Sequence, residues 1–349
     1  MKRRNFLRTT LPMAILPFIP GNSFAQQTNN LPMIKPKAIK PFDTIGIIAP
    51  GTAVSDPEDL AKANEMLTHF ELKAKWGANL AKGTGYKSRS IKERIEDLHS
   101  MFTDKEISAV ICIRGGYGSA QLLPHIDYKL IRQNPKVFLG YSDITAMHLA
   151  ITKFSGLVTY HGPVILSAFS GFTEENFKKV LFLTKPIGEL KNHTAKSNFR
   201  TVHPTRTIVP GKAKGNMTGG NLSLISSLMG TPYEIETDGK ILLLEDVGEE
   251  PYRIDRMLTQ LNLSGKLKKA AGVIIGECAG CNSEGLQPSK VWDYSFGEIL
   301  DRQLGELKIP VFSGLTFGHT SDQLTIPFGI EAEMDSEKGT LTINEAGVM

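Results

Sequence analysis

Short apolar runs that end at glycine alternate with longer amphipathic stretches between residues 41 and 166. The pattern predicts strands at 44–49, 107–114 and 137–140 and helices at 56–70, 90–102 and 144–154. Strands that alternate with helices form parallel sheets, whose sites lie at the carboxyl ends of the strands. We therefore predict that 41–166 is an α/β domain with a parallel, flavodoxin- or Rossmann-like sheet.

Periodicity is weak over 167–209, where Lys, Thr, Asn and Pro are mixed, and this stretch is predicted to connect two domains. Beyond it the pattern predicts strands at 240–244, 272–277 and 339–343 and helices at 221–228 and 252–261. Residues 210–349 are therefore predicted to form a second, mixed α/β domain with a partly barrel-like sheet. With about 150 residues per domain, 349 residues also suggest two domains.

The first 25 residues are typical of an export signal. They have a basic start, an apolar stretch over 11–19 and the small-residue cleavage site Ser23-Phe24-Ala25. The run from Lys2 to Arg8 is also similar to a twin-arginine signal, so the twin-arginine and Sec routes both stay open. We expect an exported, periplasmic protein that begins at Gln26.

Neither a membrane anchor nor nucleic-acid binding is expected. The apolar stretch is far shorter than the roughly 20 residues that a membrane span needs, and no Cys follows the signal. The residues over 26–40, rich in Gln, Asn, Pro and Lys, are predicted to be a linker. Four basic residues of the signal account for the formal net charge of +4, so the mature chain has no net charge.

The cysteines do not indicate a metal site. Cys112 lies in an apolar run and is predicted to be a buried strand residue. Cys278 and Cys281 have redox or half-zinc spacing, but no second pair or histidine cluster completes a site. They are either loop-end thiols or a local disulfide. The chain also lacks the H-E-x-x-H and Ser-x-x-Lys motifs, which argues against zinc peptidases and Ser-Lys peptidases.

Ser142 lies in Gly140-Tyr141-Ser142-Asp143, at a predicted turn from strand to helix. A serine there can stand clear of the sheet as a nucleophile, and the helix amino terminus favours developing negative charge. Ile144 replaces the second glycine of the G-x-S-x-G pattern. From the motif alone, Ser142 is either a nucleophile or a helix cap.

A glycine-rich turn, Arg114-Gly115-Gly116-Tyr117-Gly118, follows another predicted strand. Its backbone N–H groups could approach a ligand or an oxyanion. A dinucleotide site is disfavoured because Gln121 stands where the G-x-G-x-x-G pattern needs Gly or Ala, and the Lys-Ser/Thr of a P-loop is absent.

Glu245 and His319 are further candidates. Glu245 ends an apolar strand, where it either orients a histidine or begins a solvated acidic turn. His319 lies in a glycine-flanked loop that suits a catalytic imidazole and equally an exposed histidine. Its competitors for that role are His125, His148, His161, His193 and His203.

Taken together, these motifs resemble the LD-carboxypeptidase family, which includes muramoyltetrapeptide carboxypeptidases and microcin C immunity peptidases. The resemblance covers nearly all of the chain after the signal. The motifs follow one order: Gly46-Ile47-Ile48-Ala49-Pro50, Ile113-Arg114-Gly115-Gly116-Tyr117-Gly118, Gly140-Tyr141-Ser142-Asp143-Ile144-Thr145, His161-Gly162-Pro163, Gly219-Gly220-Asn221-Leu222-Ser223, Leu244-Glu245-Asp246-Val247-Gly248-Glu249 and Phe317-Gly318-His319.

The resemblance implies a catalytic triad of Ser142, Glu245 and His319, with the nucleophile in the first domain and its partners in the second. It implies an oxyanion hole made by the backbone N–H groups of Asp143 and Gly116. The implied reaction releases the terminal D-alanine of a murein tetrapeptide through an acyl-enzyme, without a metal or an organic cofactor. The family also implies a homodimer.

The export signal departs from well-known family members, which act in the cytoplasm, and it implies periplasmic muropeptides or the sacculus as substrate. Hydrolysis of a peptidyl-nucleotide antibiotic by the same triad is the alternative activity. An exported solute-binding protein is a second alternative, but it leaves the coincidence of Ser142, Glu245 and His319 unexplained.

Overall fold

The computed structural model describes residues 31–80, 89–193, 196–197, 200–281 and 294–349. The predicted signal and residues 26–30 of the predicted linker lie outside the described residues. Residues 31–40 are held against the rest of the chain, because the N–H of Ile34 donates to the carbonyl of Gly156 at 2.7 Å and that of Ala38 donates to Met349 at 2.9 Å. In the part of the chain that the structure describes, no helix combines the length and apolar character needed to cross a bilayer.

The described residues form strands and helices in alternation over much of the chain. The strands are β1 (Thr44–Ile48), β2 (Lys73–Trp76), β3 (Ile107–Cys112), β4 (Val137–Gly140), β5 (Thr159–His161), β6 (Gly188–Leu190), β7 (Lys196–Ser197), β8 (Arg200–Thr201), β9 (Arg206–Val209), β10 (Lys212–Asn221), β11 (Ile241–Glu245), β12 (Gly272–Gly276), β13 (Val311–Leu315), β14 (Ile326–Phe328), β15 (Glu331–Asp335) and β16 (Thr340–Ile343). The helices are α1 (Pro57–His69), α2 (Ile91–Thr103), α3 (Tyr128–Gln133), α4 (Thr145–Ser155), α5 (Gly171–Leu181), α6 (Leu222–Ser227), α7 (Pro251–Leu263), α8 (Lys266–Lys269) and α9 (Phe296–Leu304), with 3-10 helices at Ser119–His125 and Ser142–Ile144.

The first sheet has the strand order β14-β5-β4-β3-β1-β2. The pairs among β1 to β5 are parallel, and β14 joins the edge antiparallel to β5. Strand β4 is apolar throughout and β3 is apolar except for Ser108, as expected for parallel strands that are covered on both faces. The predicted parallel α/β sheet is confirmed.

The second sheet has the order β6-β16-β15-β10-β11-β12-β13-β9. Its central strands, β10 to β13, are parallel, whereas the pairs on either side of them are antiparallel. This mixed sheet curls into a half-barrel, so the predicted partly barrel-like second sheet is also confirmed.

Both sheets contribute to the same hydrophobic clusters. Because side chains alternate along a strand, Ile111 lies in one cluster while its neighbours Val110 and Cys112 lie in the other. Leu243 on β11 likewise joins the cluster of Ile111, and Leu242 joins that of Val110. Residues Leu31–Met349 form one compact unit, and both sheets contribute side chains to its core.

Candidate active site

Ser142 lies at the carboxyl end of β4, at the start of the 3-10 helix that leads into α4. Its φ of +64° is in the left-handed region, which is costly for a residue with a Cβ. Neither the 3-10 helix nor α4 has a side-chain capping bond at its start, so the hydroxyl of Ser142 does not act as a helix cap. This strained turn is the conformation expected of a nucleophile elbow.

The glycine-rich turn approaches the Ser142 side chain closely at Gly115. A Cβ built on Gly115 would lie 3.0 Å from Cβ and 3.3 Å from Oγ of Ser142. The backbone of the turn therefore lies directly against the serine side chain.

Glu245 and His319 form a buried hydrogen-bonded pair. Nδ1 of His319 lies 2.8 Å from Oε2 of Glu245. Glu245 is the last residue of β11 and is fully buried, whereas 19% of the His319 side chain is exposed. Gly318 has a φ of +85°, and a Cβ there would overlap Oε2 of Glu245. Glycine is needed at this position for the His319 loop to reach the carboxylate.

The charges of this pair reinforce each other. Burial of Glu245 acts to raise its pKa, but contacts with His161 and His319 outweigh burial and lower it to about 2. Burial of His319 acts to lower its pKa, but the hydrogen bond and charge of Glu245 outweigh burial and raise it above the ordinary value of 6.5. Glu245 is therefore a carboxylate that favours the imidazolium form of His319.

Ser142 and His319 line one cleft of about 360 Å³, within the range typical of small-ligand sites. The other residues along this cleft are Asp59, Arg114, Gly115, Gly116, Tyr141, Val164, Leu166 and Ser167. The Tyr141 ring meets the His319 ring edge-on, with centroids 4.9 Å apart. No hydrogen bond joins Ser142 to His319 among the described residues, and catalytic bonds commonly tighten only when substrate binds.

Gly116 and Asp143, the two candidate oxyanion-hole residues, flank Ser142. Gly116 lines the cleft, and Asp143 follows Ser142 in the chain. Within the described part of the chain, the backbone N–H of neither residue donates to another group.

The Asp143 side chain has a separate function that the sequence did not suggest. Its buried carboxylate accepts hydrogen bonds from the N–H groups of Gly118 (3.2 Å) and Ser119 (2.8 Å). Burial raises the pKa of Asp143 above its ordinary value. Arg94 also holds this turn, because Nη1 donates to the carbonyls of Pro50 (2.6 Å) and Gly118 (3.0 Å). An arginine on the buried face of α2 was the available signal for this contact.

The histidines that competed with His319 lie elsewhere. His148 is buried and bonds the carbonyl of Gly140 at 2.9 Å, and burial lowers its pKa to about 3. His193 and His203 contact Asp322, and His125 is on the surface. His161 does not line the cleft, but it lies 3.7 Å from Glu245.

The structure distinguishes between the two alternatives for Cys278 and Cys281. Both thiols are free, and they lie in a turn closed by a 3.2 Å bond from the N–H of Cys281 to the carbonyl of Cys278. Cys112 is fully buried in β3, as predicted. Among the described residues, no group of three or more His, Cys, Asp or Glu side chains is placed to hold a metal ion.

Both halves of the chain match family models of a single peptidase family. Residues 45–162 match the LD-carboxypeptidase N-terminal domain, and residues 214–334 match the LD-carboxypeptidase C-terminal domain. The chain belongs to the LD-carboxypeptidase family. It is 41% identical over 315 residues to the "Probable murein peptide carboxypeptidase" of Bacillus subtilis (strain 168), which covers 90% of this chain and 95% of the relative.

Solved structures of LD-carboxypeptidase relatives have the same fold. The muramoyltetrapeptide carboxypeptidase from Oxalobacter formigenes aligns with a TM-score of 0.73 and 31% identity, covering 87% of this chain and 99% of that one. The Microcin C7 self-immunity protein MccF, known from Escherichia coli, aligns in its complex with aspartyl sulfamoyl adenosine. Its TM-score is 0.79 at 26% identity, covering 90% of this chain and 100% of that one. The predicted family and carboxypeptidase activity are confirmed, and they replace the solute-binding alternative.

Proposed function

We propose that this LD-carboxypeptidase is a serine peptidase that releases the terminal D-alanine of murein tetrapeptides. Ser142 is the nucleophile, His319 the general base and Glu245 the residue that orients His319. The observation that supports this most directly is the 2.8 Å bond from His319 to a buried carboxylate, at a cleft that Ser142 also lines.

The hydrogen bond to Glu245 determines the chemistry of His319. A carboxylate with a pKa of about 2 is ionised, so it accepts a hydrogen bond from the Nδ1–H of His319 and leaves the Nε2 lone pair free. Nε2 takes the hydroxyl proton of Ser142 as Oγ attacks the carbonyl carbon that precedes D-alanine. The resulting imidazolium is stabilised by Glu245, which raises the pKa of His319.

The oxyanion would accept hydrogen bonds from the backbone N–H groups of Asp143 and Gly116. Collapse of the tetrahedral intermediate breaks the peptide bond as His319 returns its proton to the amine of D-alanine. Water, deprotonated by His319, then attacks the acyl-enzyme, and Ser142 regains its proton. In this proposal Ser142, His319 and Glu245 perform both half-reactions.

A second candidate activity is hydrolysis of a peptidyl-nucleotide antibiotic. The observation that favours it is the structural similarity to MccF, whose solved complex holds aspartyl sulfamoyl adenosine. The same three residues would perform this reaction, so the two activities differ only in the substrate that the cleft accepts.

The experiment that tests the proposal incubates the mature protein with defined tetrapeptide and pentapeptide muropeptides, and separately with an aminoacyl sulfamoyl adenosine. Mass spectrometry should show loss of a single alanine from the tetrapeptide, and chiral chromatography should identify D-alanine. Ser142→Ala should abolish release, whereas Ser167→Ala, which removes another hydroxyl of the cleft, should reduce it far less. Cleavage of the nucleotide conjugate alone would favour the second candidate.

We also propose that the protein acts outside the cytoplasm, because residues 1–25 have the pattern of an export signal. Fractionation of cells that express a carboxyl-terminally tagged protein should find it in the periplasm, with Gln26 as its first residue. Full-length chain recovered only from the cytosol would contradict this. The family also implies a homodimer, which light scattering on the mature protein would test.

A further inference from the structure

Arg114 places a positive charge in the cleft beside Ser142. It follows β3 and precedes Gly115, whose backbone lies against the Ser142 side chain. Arg114 is exposed and lines the same cleft as Ser142 and His319. Among the described residues, no acidic side chain forms an ion pair with this guanidinium.

The acidic residue and the histidine of the cleft pair with groups other than Arg114. Asp59, the acidic residue along the cleft, lies 3.7 Å from Lys62 on its own helix. His319 is bonded to Glu245. The guanidinium is therefore a fixed positive charge that faces the volume where a substrate binds.

A carboxypeptidase has to distinguish the end of a peptide from its interior, and the feature unique to that end is the free carboxylate. The guanidinium matches a carboxylate in charge and in its paired N–H donors. We propose that Arg114 binds the α-carboxylate of the substrate's terminal residue, an inference that rests on the proposed function. The carboxylate and the departing amine of D-alanine are bonded to the same α-carbon, so the carboxylate lies close to the carbonyl that Ser142 attacks, and Arg114 lines the same cleft.

The test compares a murein tetrapeptide with the same peptide carrying a terminal D-alaninamide, in the wild type and in Arg114→Gln and Arg114→Lys. The wild type should prefer the free acid. Arg114→Gln should lower kcat/KM for the acid about tenfold to a hundredfold, the range for a charge-assisted hydrogen bond, and barely change it for the amide. Arg114→Lys should recover part of the preference. Equal losses on both peptides would overturn the proposal.

Binding provides a readout that does not depend on the triad. Calorimetry should compare the inactive variant Ser142→Ala with the double variant Ser142→Ala/Arg114→Gln. The double variant should bind the free acid more weakly and the amide with unchanged affinity. If the protein releases D-alanine but Ser142→Ala binds both peptides equally, the carboxylate site is wrong and the proposed function stands. If this preference in binding is present but no D-alanine is released, the proposed reaction is wrong and the carboxylate site stands.

An independent observation concerns the second oxygen of Glu245. Nε2 of His161 lies 3.7 Å from Oε1 of Glu245, and both side chains are fully buried. Within the described residues, neither ring nitrogen of His161 nor Oε1 of Glu245 has a hydrogen-bond partner. The aromatic rings that lie around His161 belong to Tyr141, His148, Phe317 and Phe328.

Leaving a buried carboxylate oxygen unpaired is costly, and His161 provides the nearest N–H. A distance of 3.7 Å is too long for a hydrogen bond, but a shift of less than 1 Å would form one. We infer that His161 is a positioning residue that donates to Oε1 while His319 donates to Oε2. Glu245 is then held at both oxygens, which fixes the direction in which it presents His319 to Ser142.

The test compares His161→Gln, which keeps a donor near Nε2, with His161→Phe, which keeps the ring and removes the donor. His161→Phe should lower kcat about tenfold or more with KM little changed, and His161→Gln should recover part of kcat. In a Glu245→Gln background, His161→Phe should cost little further, because residues that act as a unit are not additive.

The positioning role would be overturned if the losses of kcat in His161→Phe and Glu245→Gln were fully additive. It would also be overturned if His161→Gln and His161→Phe lost equal amounts of kcat. Thermal unfolding of each variant shows whether it folds. If His161→Phe does not fold, the kcat of His161→Gln in the two Glu245 backgrounds gives the same comparison.

Discussion

Oγ1 of Thr145 accepts a 2.9 Å hydrogen bond from the backbone N–H of Asn221. Thr145 begins α4, three residues after Ser142, and Asn221 ends β10 in register with Glu245 on the adjacent β11. Both partners are buried. One hydrogen bond therefore joins the segment of the proposed nucleophile to the strand pair that carries its carboxylate partner.

This relationship predicts the effect of Thr145→Val, which keeps the shape of the side chain and removes the acceptor. The buried N–H of Asn221 loses its partner, so the free energy of unfolding should fall by about 1–3 kcal/mol. The small displacement of Glu245 relative to Ser142 should lower kcat about tenfold, because catalytic geometry tolerates little movement. Urea unfolding and steady-state release of D-alanine measure the two effects.

Thr152→Val is the matched control, because it removes a hydroxyl from the same helix. Oγ1 of Thr152 contacts the hydroxyl of Thr159 at 3.2 Å and touches neither Asn221 nor Ser142. It should leave kcat within about twofold. A loss of kcat in Thr152→Val equal to that in Thr145→Val would show that the helix as a whole, and not the bond to Asn221, matters.

The raised pKa of His319 predicts the acid side of the pH profile. His319 has to be neutral to accept the proton of Ser142, so kcat/KM should fall below a midpoint that lies above 6.5. Glu245→Gln removes the charge that favours the imidazolium while His319 stays buried. The midpoint should therefore move to lower pH as the maximal rate falls, and a pH titration of D-alanine release measures both.

Glu249→Gln is the control for this shift, because it removes another carboxylate close to Glu245 in the chain. Glu249 accepts a hydrogen bond from Ser223 and pairs with Arg253, and it does not bond to His319. Its midpoint should equal that of the wild type. An unchanged midpoint in Glu245→Gln would mean that the group titrating in the profile is not His319.

Gly318 allows a prediction that separates backbone strain from a steric clash. Gly318→Ala puts a methyl group onto Oε2 of Glu245 at a φ of +85°, so it should break the bond to His319 and abolish turnover. Gly265→Ala imposes similar strain at a φ of +76°, but a Cβ there meets nothing within 4 Å. Both variants should lose about 1–2 kcal/mol of stability from strain, and Gly265→Ala should keep its kcat.

If Gly265→Ala also lost turnover, global destabilisation would account for both variants. Proton NMR measures the bond between His319 and Glu245 directly, because an Nδ1 proton bonded to a carboxylate gives a downfield signal. This signal should disappear in Gly318→Ala and persist in Gly265→Ala.

Elements whose ends are encoded locally could be predicted from the sequence. Asp56 caps α1 through a bond from the N–H of Glu58, and Ser90 and Glu93 form a capping box at α2. The predicted bounds of these helices are within about one residue of the structure. The same holds for β4, whose apolar run ends at Gly140. The position of Ser142 at the end of a short buried strand could be predicted in the same way, whereas the choice of nucleophile over helix cap came from the family resemblance.

Contacts between distant segments were not encoded in any local pattern. The long strand β10 (Lys212–Asn221) could not be predicted because its sequence is mostly polar and glycine-rich. It is stabilised by pairing with β11 and β15. Strand β14 joins the first sheet from far along the chain by pairing with β5. His161 was one histidine among several competitors until the fold placed it 3.7 Å from Glu245, so its proposed role depends on a contact between residues far apart in the chain.

The strained turn at Ser142 predicts that stability and activity conflict at this residue. At a φ of +64°, backbone strain destabilises a residue with a Cβ by about 1–2 kcal/mol. Glycine has no such strain, but it loses more conformational entropy on folding, which destabilises it by about 0.5–1 kcal/mol relative to alanine. Ser142→Gly should therefore be more stable than Ser142→Ala by roughly 1 kcal/mol, with both inactive. Phe42→Gly against Phe42→Ala repeats the comparison at an exposed residue with a φ of +68°, where turnover should not change. Urea unfolding gives the free energies, and a Ser142→Ala variant as stable as Ser142→Gly would show that the turn stores no strain.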